Sequence, residues 1–192
     1  MLSHGDEDHI GGALYLIDNF KVDNVILNKG DYTELEVELI THLKNKNIKY
    51  TNNINKIPLL GSYMYLLNTK KFSNENDNSI ITYFTYQKYK FLYMGDASIT
   101  TEDNLLENYN LNNISILKVG HHGSNTSSSK DFISQINPSI SLISVGENNI
   151  YHHPNKEVIN NLSKSRIYRT DINNMVKLTI NSKGILKVTT IT

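Results

Sequence analysis

A chain of 192 residues is long enough for one domain with a substantial core, and its 19 Lys plus Arg against 19 Asp plus Glu give a formal net charge of +0 at pH 7. That balance excludes bulk electrostatic binding of nucleic acid, though not a local basic patch, and the absence of cysteine excludes disulfides, thiolate metal sites and Cys nucleophiles. No stretch approaches the roughly 18 consecutive apolar residues of a membrane-spanning helix, and no apolar segment of a signal peptide follows the first charges, so a soluble chain without membrane contact of its own is expected.

In chain order, residues 11–20 read as a short helix with Ala13, Leu14, Leu16 and Ile17 as its apolar stripe, and residues 22–27 as a buried strand. Asp31 is the expected N-cap of an amphipathic helix over 32–45, where Leu35, Leu39, Ile40 and Leu43 share one face. Short strands are predicted near 48–50 and 63–67, then a polar loop over 73–79. Strands over 80–86 and 91–94, joined by the polar turn 87–90, make a hairpin. A helix over 101–109, a buried strand over 114–119, a helix over 127–136, a strand over 141–145 and a helix over 155–163 follow, and strands near 176–180 and 185–190 close the chain. Helices and strands alternate without a linker or repeat, which predicts one α/β domain spanning 1–192.

Four polar segments carry the chemistry. The first is His4-Gly5-Asp6-Glu7-Asp8-His9, followed by Gly11 and Gly12. Five residues of metal-ligand type within six positions cannot share one face of a regular element, so they meet at a metal only if a tight loop converges them. A solvated acidic turn with two incidental histidines is the alternative. The second is Gly95-Asp96-Ala97, a carboxylate at the end of an apolar strand, where α/β sites gather, although a turn or helix cap is as natural there. The third runs from Lys118 through His121 and His122 to Ser129. Adjacent histidines point different ways, so one is expected to meet a metal and the other to hold substrate or support a ligand. Ser124, Thr126 and Ser127, with the free N–H groups of the following helix's first turn, suit a phosphate oxyanion; a helix cap with surface histidines is the bland alternative. The fourth, residues 144–154, ends in His152, His153 and Pro154, and Pro154 fixes the approach of His153. His42, inside an amphipathic helix, reads as a surface or boundary residue.

Together these segments resemble the metallo-β-lactamase superfamily, and within it the branch of competence proteins that process DNA during uptake. That branch carries His-x-Asp-x-Asp-His-Ile-Gly-Gly, spelled by His4 to Gly12, then Gly-Asp-Ala at Gly95 to Ala97, Lys-Val-Gly-His-His-Gly-Ser at Lys118 to Ser124, and Ser-Val-Gly with a later His-Pro at Ser144 to Pro154. The resemblance implies an αβ/βα sandwich with two divalent metal ions, zinc or manganese, at one edge. It makes His4, Asp6, Asp8, His9, Asp96 and His121 the candidate ligands, with Asp96 bridging. It implies hydrolysis of a phosphodiester, with DNA, and single-stranded DNA in particular, as the expected nucleic-acid partner. Asp8 would orient the attacking water, His122 or His153 would protonate the leaving oxygen, and Lys118, Ser124, Thr126 and Ser127 would hold phosphate oxygens.

Two departures from the family pattern stand out. Asp6 occupies a position where many members have a second histidine, and the loop before the hairpin offers Asn76, Asp77, Asn78 and Ser79 instead of another. More oxygen ligands harden the site and shift its preference from zinc towards manganese or magnesium. The metal motif also starts at residue 4, whereas superfamily domains begin with several strands. The expectation is therefore a sandwich lacking its first strands, with a preceding segment, another subunit or a membrane channel as partner, and a location in the cytoplasm or tethered at a bacterial membrane. A small-molecule phosphodiesterase or phosphocholine esterase is the rival enzyme reading, and a catalytically silent binding module the rival of another class.

Overall fold

The apolar runs that precede the polar motifs become neighbouring strands. The computed structural model describes residues 1–67 and 70–191. Its elements are α1 (Glu7–Ile10), α2 (Ala13–Asn19), β1 (Asn24–Ile26), α3 (Glu34–Asn45), β2 (Lys49–Thr51), β3 (Lys56–Leu59), β4 (Ser62–Leu66), β5 (Thr82–Tyr86), β6 (Tyr89–Tyr93), α4 (Ile99–Asn108), β7 (Ile116–Lys118), α5 (Lys130–Ile136), β8 (Ile140–Ile143), α6 (Lys156–Asn161), β9 (Arg166–Arg169), α7 (Thr170–Asn173), β10 (Met175–Ile180) and β11 (Leu186–Ile191).

Strands β3 to β9 form one seven-stranded sheet in chain order. Its first half, β3 to β6, is antiparallel, with tight turns between β3 and β4 and between β5 and β6 and a longer connection between β4 and β5. From β6 to β9 it is parallel, and α4, α5 and α6 provide the crossovers. Leu92 and Leu117 sit fully buried on one face of that sheet, against Leu105, Phe132, Ile136 and Leu162 from those helices. Burying such a side chain stabilises the fold by ~1.5–3 kcal/mol. A second, smaller core gathers Ile10, Ile17, Leu27, Leu39 and Leu43 around α3 and the parallel pair β1–β2. The first residues bridge the two: Leu2 N donates to Ile26 O, and Ile80 N, just before β5, donates to Ser3 O. Strands β10 and β11 form a separate antiparallel hairpin, tied to the main sheet where Tyr89 Oη donates to Gly184 O. This mixed sheet flanked by helices is the α/β architecture expected of the metallo-β-lactamase fold.

Several boundaries differ from the sequence reading. Helix α3 is capped by Thr33, not Asp31: the Thr33 side chain accepts from Glu36 N, and the Glu36 carboxylate accepts from Thr33 N. This reciprocal box satisfies two first-turn donors at once, whereas Asp31 pairs with Lys71. Helix α5 begins at Lys130 with Ser129 as N-cap, three residues later than the hydroxyl-rich run suggests. The turn between β5 and β6 contains two residues, because Tyr86 already pairs with Tyr89 and Gln87 adopts φ 54°. Edge strand β3 alternates, with Ile57 and Leu59 half-buried and Lys56 and Pro58 exposed, but it is four residues long and Pro58 weakens it as a strand signal, and β9 shows no such alternation. Pro58 in one and Arg166 and Arg169 in the other suit positions with an unpaired side.

Candidate metal centre

Parallel pairing places the C-terminal ends of β6, β7 and β8 on the same edge of the sheet. Gly95-Asp96 follows β6, the turn 120–123 follows β7, and the loop 144–153 follows β8, so three of the four polar segments meet by topology alone. The fourth, residues 3–9, arrives between β1 and β5 and ends in α1. The result is a cleft of about 610 Å³, lined by Asp6, Asp8, Asp96, His121, His122 and His153 among others.

Asp96 lies at its centre, 3 % exposed. Its backbone N–H donates to Ser79 Oγ at 2.9 Å. Gly95 makes this approach possible: its φ is +55°, and an added Cβ would lie 2.8 Å from the Ser79 side chain. Around Asp96 stand four imidazoles. His9 Nε2 is 3.2 Å from Asp96 Oδ1, His122 Nε2 is 3.5 Å from Oδ2, and His121 Nε2 is 3.9 Å from Oδ2. His4, fully buried, points its Nε2 to within 3.4 Å of Asp6 Oδ2.

Each ring is held by its other nitrogen. His4 Nδ1 meets the hydroxyls of Ser3 and Ser79, both at 3.2 Å, and His9 Nδ1 meets Ser3 Oγ at 2.9 Å. His121 Nδ1 meets Thr126 Oγ1 at 3.1 Å, and His122 Nδ1 lies 2.7 Å from Ser144 O. A carbonyl oxygen only accepts, so His122 Nδ1 carries a proton and Nε2 is the lone pair of its neutral form. An imidazole oriented at one nitrogen and presented at the other is the arrangement of a metal-ligating histidine.

The polar groups left over fit a cation. His4 Nε2 and Asp96 Oδ1 are buried and lack a hydrogen bond of good geometry, although His9 stands near the latter. Buried polar atoms normally have partners, and one cation between them would satisfy both. Two groups of ligand-type atoms are close enough to share an ion: His4, His9 and Asp96, and Asp8, His9 and His122. Electrostatics agree with an anionic centre. Burial alone would raise the Asp96 carboxyl, but hydrogen bonds and positive charge from His122 and His9 outweigh it and hold it well below the usual carboxylate range. The same contact with Asp96 raises His122. Burial, then the charge of His9, lowers His4, and burial together with His121 and His122 lowers His153.

The paired histidines owe their placement to strained backbone. His121 (φ 44°, ψ 46°) and His122 (φ 52°, ψ 17°) are successive left-handed residues, a conformation costing of order 1–3 kcal/mol for each non-glycine. His121 N to Gly95 O at 3.0 Å and Ser124 N to His121 O at 2.8 Å hold the turn. Both rings thus face the cleft, although the sequence leads one to expect them to diverge. His122, rather than His121, stands among the ligand groups.

The residues expected to hold phosphate are placed differently. Ser127 is buried and donates to Gly120 O and Ser124 O, while Ser124 Oγ and Thr126 Oγ1 meet each other at 3.0 Å. The amides just before the following helix are taken as well, since the Glu102 carboxylate accepts from Ser128 N and, at 2.9 Å, from Ser129 N, and in the helix's first turn Phe132 N donates to Ser129 Oγ. These hydroxyls and amides are therefore engaged inside the protein. Lys118 Nζ turns back to Val119 O at 3.0 Å, and burial lowers its pKa. His42 lies away from the cleft, 2.8 Å from Asp18, as a surface pair.

Sequence reasoning missed the supports. Ser3 and Ser79 orient His4 and His9, and Glu75 accepts from Gly5 N at 2.8 Å. A serine or glutamate in a polar loop gives no signal by itself. Asp77, in the loop where a ligand was sought, instead accepts from Ser98 N and Thr101 Oγ1 at the start of α4.

Comparison with known proteins agrees with this geometry. A family model described as metallo-beta-lactamase superfamily matches residues 1–147. The chain is 28% identical over 184 residues to ComE operon protein 3 of Bacillus subtilis (strain 168), covering 92% of this chain and 24% of that protein. It is 27% identical over 183 residues to Recombination protein 2 of Haemophilus influenzae, covering 93% and 22%, respectively. Competence protein ComA of Neisseria gonorrhoeae is 28% identical over 192 residues, covering 96% and 26%. The chain thus spans about a quarter of the length of these relatives. With 147 of its 192 residues matched and its His and Asp motifs gathered on one sheet edge, the chain belongs to the metallo-beta-lactamase superfamily of metal-dependent hydrolases.

Proposed function

We propose that this cleft hydrolyses phosphodiester bonds in DNA, single-stranded DNA foremost, during competence-type uptake, using two divalent cations, manganese or zinc. One observation carries the reading: buried, anionic Asp96 is ringed by imidazoles that are each held at Nδ1 and present Nε2. A ring with one nitrogen engaged has one left to offer, so His9 serves a single ion. His4, Asp6 and Asp96 would then hold one ion, and Asp8, His9 and His122, with Asp96 beside them, the other. Relative to the sequence reading, His121 and His122 exchange roles. Three carboxylates against two dications leave the site positive, which suits an anionic ester, and their oxygen ligands favour manganese. Ions bound there would withdraw charge from a phosphate and lower the pKa of water towards ~7.

The chain's own groups supply the proton movements. Asp8, exposed at the cleft mouth, takes a proton from the water whose oxygen bonds to phosphorus. As the ester P–O bond breaks, His121 in its doubly protonated form gives the Nε2 proton to the leaving oxygen and becomes neutral, keeping its other proton at Nδ1, where Thr126 Oγ1 accepts it. His153, its pKa lowered by burial and neighbouring histidines, is neutral at pH 7 and contacts substrate through a hydrogen bond. The names of two relatives, one for competence and one for recombination, support DNA as the substrate. No helix among the described residues is long and apolar enough to cross a membrane; a membrane channel or tether is proposed as a partner of the chain.

The test is cleavage of single-stranded DNA by the manganese- or zinc-loaded protein and by Asp96→Asn. Cleavage lost in the variant supports the reading; no cleavage with either metal, or an unaffected variant, overturns it. The formal net charge of +0 favours a second reading, a small phosphodiester substrate such as a phosphocholine ester. Faster turnover of a small diester than of an oligonucleotide would select it.

A further inference from the structure

The loop after β8 carries a feature that metal chemistry does not use. Tyr151 lines the cleft, yet its side chain is 72% exposed, and the neighbouring Ile150 is 79% exposed. One face of the Tyr151 ring lies along His153, with centroids 5.8 Å apart and planes 20° from parallel. His153 in turn stands 6.0 Å from His121, so a row of rings leads from solvent towards Asp96.

This loop is braced. Asn149 Nδ2 donates to Gly146 O at 3.1 Å and to His153 O at 2.9 Å, and Asn149 Oδ1 accepts from His153 N at 2.8 Å. The loop's end is pressed onto the histidine turn: Asn155 N donates to Gly123 O at 2.8 Å, and a Cβ on Gly123, where φ is +84°, would meet Pro154 Cβ at 2.5 Å. The loop that carries Tyr151 is therefore braced at Asn149 and His153 and docked on the turn that carries His121 and His122. An aromatic ring held at a cleft mouth with one face stacked and the rest open is a platform for a planar group.

We propose that Tyr151 is a substrate-positioning residue that stacks a nucleobase of a single strand whose neighbouring phosphate occupies the Asp96 cleft. This rests on the phosphodiester reading above. A duplex keeps its base faces covered by its own stacking, whereas a single strand offers a π-face beside every phosphate. Stacking is indifferent to which base is present, so the platform predicts tolerance of sequence.

The experiment measures binding and cleavage separately. Binding is read by fluorescence anisotropy of an oligothymidylate and of a base-free deoxyribose phosphate strand of equal length, with calcium replacing manganese to prevent turnover. Tyr151→Ala is expected to weaken oligothymidylate binding about tenfold and to leave the base-free strand unchanged, in line with the cost of removing a base-stacking aromatic. Tyr151→Trp should bind as well as the wild type, and Tyr151→Leu should not. Equal losses on both strands, no loss on oligothymidylate, or full rescue by leucine would overturn the proposal. Cleavage with manganese separates the two claims. If no protein cleaves yet the Tyr151 pattern holds, the hydrolytic reading fails and the platform stands. If cleavage occurs without that pattern, only the platform fails.

Discussion

The floor and the rim of the cleft are built differently. On the floor, His4, His9 and Asp96 are held by Ser3, by Ser79 and by the docking of residues 2–3 between β1 and the start of β5. Ser3 is local to both histidines, but Ser79 reaches His4 and Asp96 from a distant part of the chain, and residues 2–3 link β1 to the start of β5. On the rim, His121, His153 and Tyr151 are held by nearby groups, Thr126 for the first and Asn149 for the loop of the other two. Damage to the floor should therefore remove metal affinity, whereas damage to the rim should change substrate handling and leave metal uptake intact.

The largest effect that would test this contrast is at Asp96. Asp96→Asn removes the shared carboxylate charge, and metal affinity should fall by more than the ~10–100-fold typical of a supporting residue, read by calorimetric titration with manganese. Ser79→Ala removes an orienting hydroxyl from His4 and from Asp96 N, and should lower metal affinity by ~10–100-fold while circular dichroism stays unchanged. At the rim, Asn149→Ala should raise KM several-fold, keep metal affinity within about twofold, and lower stability by roughly 1–3 kcal/mol because its loop contacts are lost. A metal-affinity loss in Asn149→Ala equal to that of Ser79→Ala would erase the distinction. The smallest effect belongs to neither region. Hydrogen bonds from Lys46 and His42 lower the exposed Asp18 carboxyl. Its small stabilisation is thus present above the unfolded value near pH 3.8 and is lost as pH falls through the lower folded value. Asp18→Asn should shift Tm by at most about 2 °C at pH 7 and by less in acid.

How much of this was legible depended on whether a residue's partner was local. The strands feeding Asp96, His121 and His153 show as apolar runs ending in polar motifs, and the resemblance of those motifs to the metallo-β-lactamase superfamily led to the fold. The choice between His121 and His122 was not legible, because two successive left-handed residues turn both rings inward, and that strain is visible only in the folded backbone. Ser79 looked like the absence of an expected histidine; its hydroxyl instead braces one that is present. Ser124 and Ser127 looked like phosphate ligands because a hydroxyl-rich run before a helix suits an anion. The Glu102 carboxylate, from the helix α4 that packs alongside, instead takes the Ser128 and Ser129 amides just before that helix. The edge strands β3 and β9 were missed because each is only four residues long, one interrupted by Pro58 and the other bounded by Arg166 and Arg169.

The central claim is that Asp96 organises a metal centre with the histidines held at Nδ1. Metal content and affinity, measured on the purified protein and on Asp96→Asn with His42→Ala as the surface control, test it most directly. The account predicts two manganese or zinc ions per chain in the wild type and in His42→Ala, and loss of both in Asp96→Asn. Wild-type protein that takes up no metal, or an Asp96→Asn variant that binds two ions as tightly as the wild type, would contradict it.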